Sequence, residues 1–327
     1  MVNFGTLGLL LLLLPAAVES QRTNTGVTAL DDDVALAQAN LGEAELRRGE
    51  EGGQDAPKHF EAAERALNEA LSLVPESPLA IHALSSVYMR TGRTEAAAEL
   101  LRKGVVANPS SARLHAKLGY VFRYAGMMDP SITEYRTSQR LDARFENRIA
   151  AERQIIKALI YSGHYDEAFE SYASILEWLK ELGRAPDEKV QFYQGLGRLY
   201  AGNIDHAVRL FDASIATVPD SLWSSFAKAY KYGALGETQK LRDLADELAR
   251  GNVSDGERRY RLAHLNAMAG RFSKALGHLE ASAQSGFFNY PYTKRDRLLE
   301  DIEPSSDFDR VLRFIENRHR RFVEQNE

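Results

Sequence analysis

The 327-residue chain contains no cysteine. That absence excludes disulfide bonds, thiol catalysis, cysteine-based zinc sites and a lipid anchor on a cysteine. The chain also lacks a strong charge of one sign: its formal net charge is −5, which argues against a nucleic-acid partner because such proteins are usually basic. The shares of charged residues (27%) and hydrophobic residues (44%) are those of a globular protein.

Motifs for catalysis and for metal binding are missing as well. The eight histidines form no H-E-x-x-H pair, and there is no G-x-S-x-G, phosphate-binding glycine loop or G-x-G-x-x-G. The acidic run from Asp31 to Asp33 fits the start of a helix, where the helix dipole favours negative charge, better than a cation site. The two tryptophans, Trp178 and Trp223, are interpreted as packing residues. We therefore predict no enzyme activity, no cofactor and no metal site.

The N-terminus lacks an apolar run long enough to span a membrane. The run from Leu7 to Val18 has twelve residues, whereas a span needs about 20. Its length suits the apolar part of a secretory signal, although no Lys or Arg precedes it, and small residues favour cleavage after Ser20. We expect residues 1–20 to be a signal peptide, the chain to be exported, and no span to remain after cleavage. The alternative is a membrane anchor formed by an uncleaved N-terminal segment.

A period of 34 residues runs through the chain. Glycines recur at that spacing from Gly92 to Gly126, and again from Gly202 through Gly236 to Gly270. A constant period of this length with helix-type residues predicts stacked pairs of helices. The glycine allows the tight turn inside each pair because it tolerates a positive φ.

Two further positions repeat after these glycines and after Gly163, which begins the same outline. Five residues on, the side chain is small: Ala97, Ser131, Ala168, Ala207 and Ala275. Four residues later, on the same face of the second helix, it is large: Leu101, Tyr135, Tyr172, Phe211 and Leu279. We predict that the small residue lets the paired helices approach closely. One pair reverses the order, with Leu241 before Ala245, which conserves volume.

This outline resembles the tetratricopeptide repeat family, whose pattern is W-x2-L-G-x2-Y, then A-x3-F, then P. The first half appears as "LSSVY" from Leu84, "LGYVF" from Leu118 and "LGRLY" from Leu196. The second half ends with Pro75, Pro109 and Pro219. The resemblance implies an all-α solenoid of about seven helix-turn-helix hairpins over residues 31–286. An insertion near residues 50–58 is expected to form an exposed loop.

Residues 287–327 depart from the period and are expected to form a C-terminal helical cap, because a solenoid otherwise exposes the packing surface of its last hairpin. This stretch also resembles the closing segment of many bacterial tetratricopeptide repeat proteins, through Asp307, Phe308, Val311 and Leu312. That resemblance implies a bacterial envelope protein and a periplasmic or secreted location. Residues 21–30 are expected to link the signal to the repeats.

In the family that the chain resembles, the first helices of successive hairpins line a concave groove that holds a partner segment. The 24 positions expected to face this groove in six hairpins hold five Lys or Arg, six aromatic rings and no Asp or Glu. The candidate binding residues are Arg90, Tyr120, Arg123, Tyr124, Arg153, Lys157, Tyr161, Arg198, Tyr230 and Tyr260. Aromatic and Arg side chains are those that binding surfaces concentrate. We expect a protein or peptide ligand, acidic because the groove is basic.

The predicted function is therefore a non-enzymatic interaction scaffold. The carboxylate clamp of chaperone adaptors is not expected, because Ser86 and Tyr120 stand where it needs asparagines. Two alternatives remain: binding of an anionic glycan or small ligand in the same groove, and a role as an accessory subunit of an envelope enzyme complex. The sequence does not define the partner, the pathway or the oligomeric state.

Overall fold

The structure, a computed structural model, describes residues 14–251, 255–302 and 305–327, with side chains from residue 29 onward. The predicted signal peptide therefore lies largely outside the described residues. Over the described ranges the chain forms sixteen helices and no strand. They are α1 (Leu14–Glu51), α2 (Ala56–Leu73), α3 (Pro78–Arg90), α4 (Thr94–Ala107), α5 (Ala112–Ala125), α6 (Met128–Leu141), α7 (Phe145–Ser162), α8 (Tyr165–Glu181), α9 (Glu188–Tyr200), α10 (Ile204–Thr217), α11 (Leu222–Ala234), α12 (Thr238–Arg250), α13 (Gly256–Met268), α14 (Phe272–Gln284), α15 (Tyr290–Lys294) and α16 (Ser306–Asn326).

Helices α1 to α14 follow one another as seven hairpins, and α15 and α16 come after them. The predicted all-α solenoid of about seven hairpins is confirmed. Along the part of the chain from residue 14 that the structure describes, no helix combines the length and the apolar character that crossing a membrane requires.

The described part of the chain divides into two compact units, one up to residue 84 and one from residue 85 to residue 327. In the first unit α1 packs along α2 through small residues. A Cβ at Gly49 would lie 2.6 Å from Cε1 of Phe60, so the two helices are in close contact there. Helix α1 is continuous through residues 21–30, the predicted linker, and only residues 52–55 separate it from α2.

In the second unit the repeated positions have the predicted packing roles. The small residues five positions after each glycine are fully buried, and the large residues four positions later are at most 2% exposed. The glycines of the six turns have φ between 68° and 91°, a conformation that favours glycine. The reversed pair, Leu241 and Ala245, is also fully buried, so the exchange of sizes preserves the contact.

The first helices of the hairpins in unit 2, here called the inner helices, are α5, α7, α9, α11 and α13, and each contacts the next inner helix. Side-chain caps define where four of them begin: Ser111, Asp187, Ser221 and Asp255 accept hydrogen bonds from backbone N–H groups of the first turn. Each of these four caps satisfies N–H groups of a first turn that have no partner within the helix.

The repeats of unit 2 close on themselves. Thr94, at the start of α4, donates a hydrogen bond to the carbonyl of Gly286, just after α14 (2.9 Å). Arg318 in α16 donates to the carboxylate of Glu95 (2.7 Å) and to the carbonyl of Gly92 (2.7 Å). The seventh hairpin and the C-terminal helix therefore contact the second hairpin.

Residues 286–302, here called the closing segment, lie across the C-terminal ends of the inner helices. The amide of Asn289 donates to the carbonyl of Arg123 in α5 (3.2 Å), the guanidinium of Arg295 to Tyr161 in α7 (2.6 Å) and that of Arg297 to Tyr200 in α9 (3.2 Å). These carbonyls belong to the last turns of their helices, where a carbonyl lacks its usual partner four residues on, although that of Arg123 also accepts from the N–H of the C-cap Gly126 (3.3 Å). Positive groups are favoured there by the helix dipole. The predicted cap thus covers several inner helices as well as the last hairpin.

Candidate binding site on the inner helices

A buried carboxylate organises the charged side chains of the inner helices. Glu257 in α13 is 4% exposed and accepts two hydrogen bonds from Arg123, at 2.9 and 3.2 Å. Arg261 donates a third at 3.0 Å, and the hydroxyl of Tyr161 donates a further one. Burial alone would raise the pKa of Glu257, but Arg123, Lys157 and Arg261 outweigh it and hold that pKa well below its ordinary range.

Lys157 lies in the same cluster and has no ion-pair partner among the residues that the structure describes. It is 8% exposed, and its ammonium lies 4.4 Å from the ring centre of Tyr193 and 5.9 Å from that of Trp223. Burial, with Arg123 and Arg261 nearby, lowers the pKa of Lys157 to about 7. We call these residues the Glu257 cluster: Arg123, Lys157, Tyr161, Tyr193, Glu257 and Arg261. This cluster contains two guanidinium groups and one amine but only one carboxylate.

The rim of this cluster is partly open to solvent. Asp255, the N-cap of α13, accepts a hydrogen bond from the hydroxyl of Tyr124 (2.9 Å) and from Arg90 (3.2 Å). About a third of the Arg90 side chain and a quarter of the Asp255 side chain are exposed (32% and 27%). Tyr120 and Trp223 are also partly exposed. Helix α13 therefore presents an acidic N-terminus to basic and aromatic groups of α3 and α5.

A second buried acid, Asp296, attaches the closing segment to the inner helices. It accepts hydrogen bonds from the hydroxyls of Tyr200 (2.9 Å) and Tyr260 (2.8 Å), and one oxygen lies 2.7 Å from Nε2 of His264. Nδ1 of that histidine lies 2.7 Å from the hydroxyl of Tyr230. Burial raises the pKa of Asp296, but His264 and Tyr260 outweigh it, so the pKa is lower than usual. A charged carboxylate thus fixes this segment inside a shell of hydroxyls.

Aromatic rings complete the contact with the closing segment. Tyr292 stacks on Tyr161 with ring centres 4.2 Å apart, and Tyr260 lies 5.1 Å from it. Phe287 lies 5.2 Å from Tyr124 in an edge-to-face arrangement. Such pairs contribute about 0.5–1.5 kcal/mol each beyond the area they bury. The inner helices therefore bind the closing segment through aromatic rings and through the carboxylate of Asp296.

The structure places eight of the ten candidate residues in this region and two elsewhere. Arg123, Tyr124, Lys157, Tyr161, Tyr230 and Tyr260 are buried, and Arg90 and Tyr120 are partly exposed at the rim. Arg153 instead pairs with Asp187 at the start of α9 (2.6 Å), and Arg198 stacks on Phe169 (3.5 Å). These last two contacts lie between neighbouring hairpins.

The sequence predicted a groove lined by no acid, and the structure differs on this point. Asp255, Glu257 and Asp296 all face the candidate residues. They belong to α13 and the closing segment, which return to the earlier inner helices because the array is closed. An assignment that considers one hairpin at a time cannot include contacts between hairpins that are distant in sequence. The spacing of Glu257 and Arg261, four residues apart on one helix face, was a usable signal for an ion pair.

The described residues contain no group of three or more His, Asp or Glu side chains placed to hold a metal ion. The carboxylate oxygens of Asp296 are already in hydrogen-bond contact with Tyr200, Tyr260 and His264.

The comparisons with known proteins agree with this geometry. Residues 56–119 match the tetratricopeptide repeat family model. A tetratricopeptide repeat protein from Parabacteroides merdae is 14% identical, with a TM-score of 0.51 over 80% of this chain and 99% of that one. A thermophilic one from Thermus thermophilus is 18% identical, with a TM-score of 0.47 over 59% of this chain and 98% of that one. No curated protein matches the chain.

The fold and the inner face define a helical-repeat protein of the class that forms interaction scaffolds. The match over residues 56–119, together with the fold of seven helical hairpins, supports a tetratricopeptide repeat protein.

Proposed function

We propose that the protein is a non-enzymatic scaffold of the bacterial envelope that binds an acidic segment of a partner protein at the rim of the Glu257 cluster. The observation that carries this proposal is the excess of positive charge on the inner helices. Two guanidiniums and Lys157 face one buried carboxylate, and no described residue makes a hydrogen bond or an ion pair with Lys157. An unpaired buried cation is costly, and a partner carboxylate would offset that cost.

The rim supports a peptide or protein ligand rather than a free ion. Arg90, Tyr120 and Trp223 are partly exposed there, and Arg, Tyr and Trp are the side chains most often found at the centre of protein interfaces. The closing segment covers the C-terminal ends of the inner helices, so the partner would contact the rim near the N-terminus of α13.

A photo-crosslinking experiment tests the binding surface. A photoreactive phenylalanine derivative at position 120 should crosslink a protein from envelope extract, and the same group at Tyr232, outside the rim, should not. Mass spectrometry should place the crosslink in an acidic segment. The variant Lys157→Met should bind this segment more weakly at low salt and lose part of the salt dependence, because charges govern encounter and screening. Equal affinity of wild type and variant at every salt concentration would contradict the proposal.

The envelope location is part of the proposal and has its own test. Cell fractionation with N-terminal sequencing should find a periplasmic or secreted chain that begins at Gln21. Introducing Leu11→Arg and Leu12→Arg divides the apolar run into pieces shorter than the roughly 7–15 residues of a signal, so that variant should stay in the cytoplasm. A wild-type protein found in the cytoplasm with Met1 intact would refute the location.

A further inference from the structure

A cleft on the other side of the fourth hairpin is separate from the inner face. It lies between α6, α7 and α8 and has a volume of about 380 Å³, within the roughly 300–1,000 Å³ of small-molecule sites. Its lining is Arg136, Gln139, Arg148, Glu152, Leu159, Glu167, Glu170, Ser171, Ser174 and Trp178. The proposed partner site on the inner helices uses none of these residues.

A largely buried carboxylate with a single hydrogen bond to the described residues lines this outer cleft. Glu152 is 5% exposed, and its one hydrogen bond to a described residue comes from the amide of Gln139 (2.8 Å). A carboxylate offers about four acceptor positions. Buried carboxylates are normally paired or fully hydrogen-bonded, so Glu152 retains acceptor capacity for donors of a ligand.

The charged groups of the outer cleft are not paired with one another. Arg136 and Arg148 make no ion pair within the described residues, and among Glu152, Glu167 and Glu170 only Glu167 has an ionic contact, with His164 at 3.7 Å. Three carboxylates disfavour an anion, and two guanidiniums disfavour a cation. The lining therefore suits a neutral ligand that carries both hydrogen-bond donors and acceptors.

Trp178 adds an apolar surface to this polar lining. It is partly exposed, and the guanidinium of Arg148 lies 4.2 Å from the ring centre. Leu159 also lines the cleft. A ligand with a ring of C–H groups and several hydroxyls would place its C–H face on such surfaces and its hydroxyls on the carboxylates, the amide and the guanidiniums.

We propose that the outer cleft binds a saccharide of one or two rings. Glu152 and the amide oxygen of Gln139 accept hydrogen bonds from ring hydroxyls, since the amide N–H groups of Gln139 already donate to Glu152 and to the carbonyl of Arg148. Arg136 and Arg148 donate hydrogen bonds to the sugar, and the indole of Trp178 contacts the sugar ring. This inference goes beyond the proposed function, because it involves neither the Glu257 cluster nor a protein partner.

Tryptophan fluorescence tests the saccharide site, because the chain has only two tryptophans. In the full-length Trp223→Phe variant, the emission of Trp178 should change and saturate on titration with glucose, N-acetylglucosamine or cellobiose. A ligand of about twelve heavy atoms in a shallow cleft corresponds to a dissociation constant of roughly 1 mM. Glycerol at the same concentrations controls for solvent effects and should give no saturation.

Three variants in that background locate the binding. Glu152→Gln keeps the shape but removes the negative acceptor, so it should weaken binding at least about tenfold. Ser174→Phe fills the cleft from a partly exposed position without adding a tryptophan and should abolish binding; circular dichroism verifies that both variants fold. Glu177→Gln, an exposed change on α8 outside the lining, should bind like the parent. The proposal is overturned if no sugar produces saturation up to roughly 100 mM, far above the expected constant. It is also overturned if Glu152→Gln and Ser174→Phe bind as tightly as the parent.

Discussion

Replacing Lys157 by methionine should make the folded protein more stable. The pKa of Lys157 falls from an ordinary value of 10.5 to about 7 because the amine is buried near two guanidiniums. At about 1.4 kcal/mol for each pKa unit, that displacement corresponds to roughly 5 kcal/mol by which protonated Lys157 disfavours folding below pH 7. Methionine keeps the length of the side chain and its contact with Tyr193 but carries no charge. We expect Lys157→Met to raise the free energy of unfolding at pH 7 by about 2–4 kcal/mol.

The pH dependence gives the same argument a second readout. Between pH 7 and 10.5 the unfolded chain holds a proton on Lys157 that the folded chain has released, so wild-type stability should rise with pH in that interval. The slope approaches about 1.4 kcal/mol per pH unit from this group, and Lys157→Met should remove it. Urea denaturation at pH 6, 7, 8 and 9 measures both effects.

A matched surface variant controls for the change from lysine to methionine. Lys103 has a side chain that is 75% exposed, so Lys103→Met should shift stability by no more than about 0.5 kcal/mol at any of these pH values. If Lys157→Met instead lowers the free energy of unfolding by more than about 1 kcal/mol and the wild type shows no rise above pH 7, Lys157 is a stabilising charge and the reasoning is wrong.

Three further changes probe the rest of unit 2. Glu257→Gln leaves the buried cations without their carboxylate and should cost about 3–5 kcal/mol in urea denaturation; a loss under about 1 kcal/mol would contradict a structural role for the pair. Asp296→Asn should raise hydrogen exchange in residues 286–302, and it should reduce the loss of wild-type stability below about pH 4, because the lowered pKa of Asp296 contributes stability that disappears as the carboxylate gains a proton. Gly92→Ala should lower the melting temperature more than Gly163→Ala: both glycines have positive φ (75° and 79°), but a Cβ at Gly92 would lie 2.6 Å from the carbonyl oxygen of Gln284, whereas nothing lies within 4 Å at Gly163. Equal losses would mean that the close approach does not matter.

Local pattern was sufficient to predict the hairpins. The roles of Gly126, Ala168 and Tyr172 follow from steric requirements within one pair of helices. In the structure Gly126 has the expected positive φ, and Ala168 and Tyr172 are buried as expected. Contacts between distant hairpins could not be obtained in this way. Arg123 and Glu257 are separated by 134 residues, and nothing in the 34-residue period specifies that the third and seventh hairpins meet.

The composition of the inner face was therefore predicted better than its environment. Basic and aromatic residues do converge there, but the sequence does not show that Asp296 and the rest of the closing segment fill the space between the helices. Asp296 follows Tyr292 by four residues, but both lie outside the 34-residue period, so no repeat position predicts a role for this carboxylate. Only the closed arrangement of the repeats assigns it a partner.

Closure of unit 2 also changes how this part of the chain should fold. In an open array of repeats the terminal units fray first, since each contacts one neighbour only. Here residues 90–95 are held by Asp255, Gly286 and Arg318 across separations of up to 226 residues, so neither end can detach without breaking contacts at the other. Contacts so distant in sequence form late, because the entropy of bringing them together is lost before they stabilise anything. Unit 2 should accordingly fold slowly and unfold in a single cooperative step.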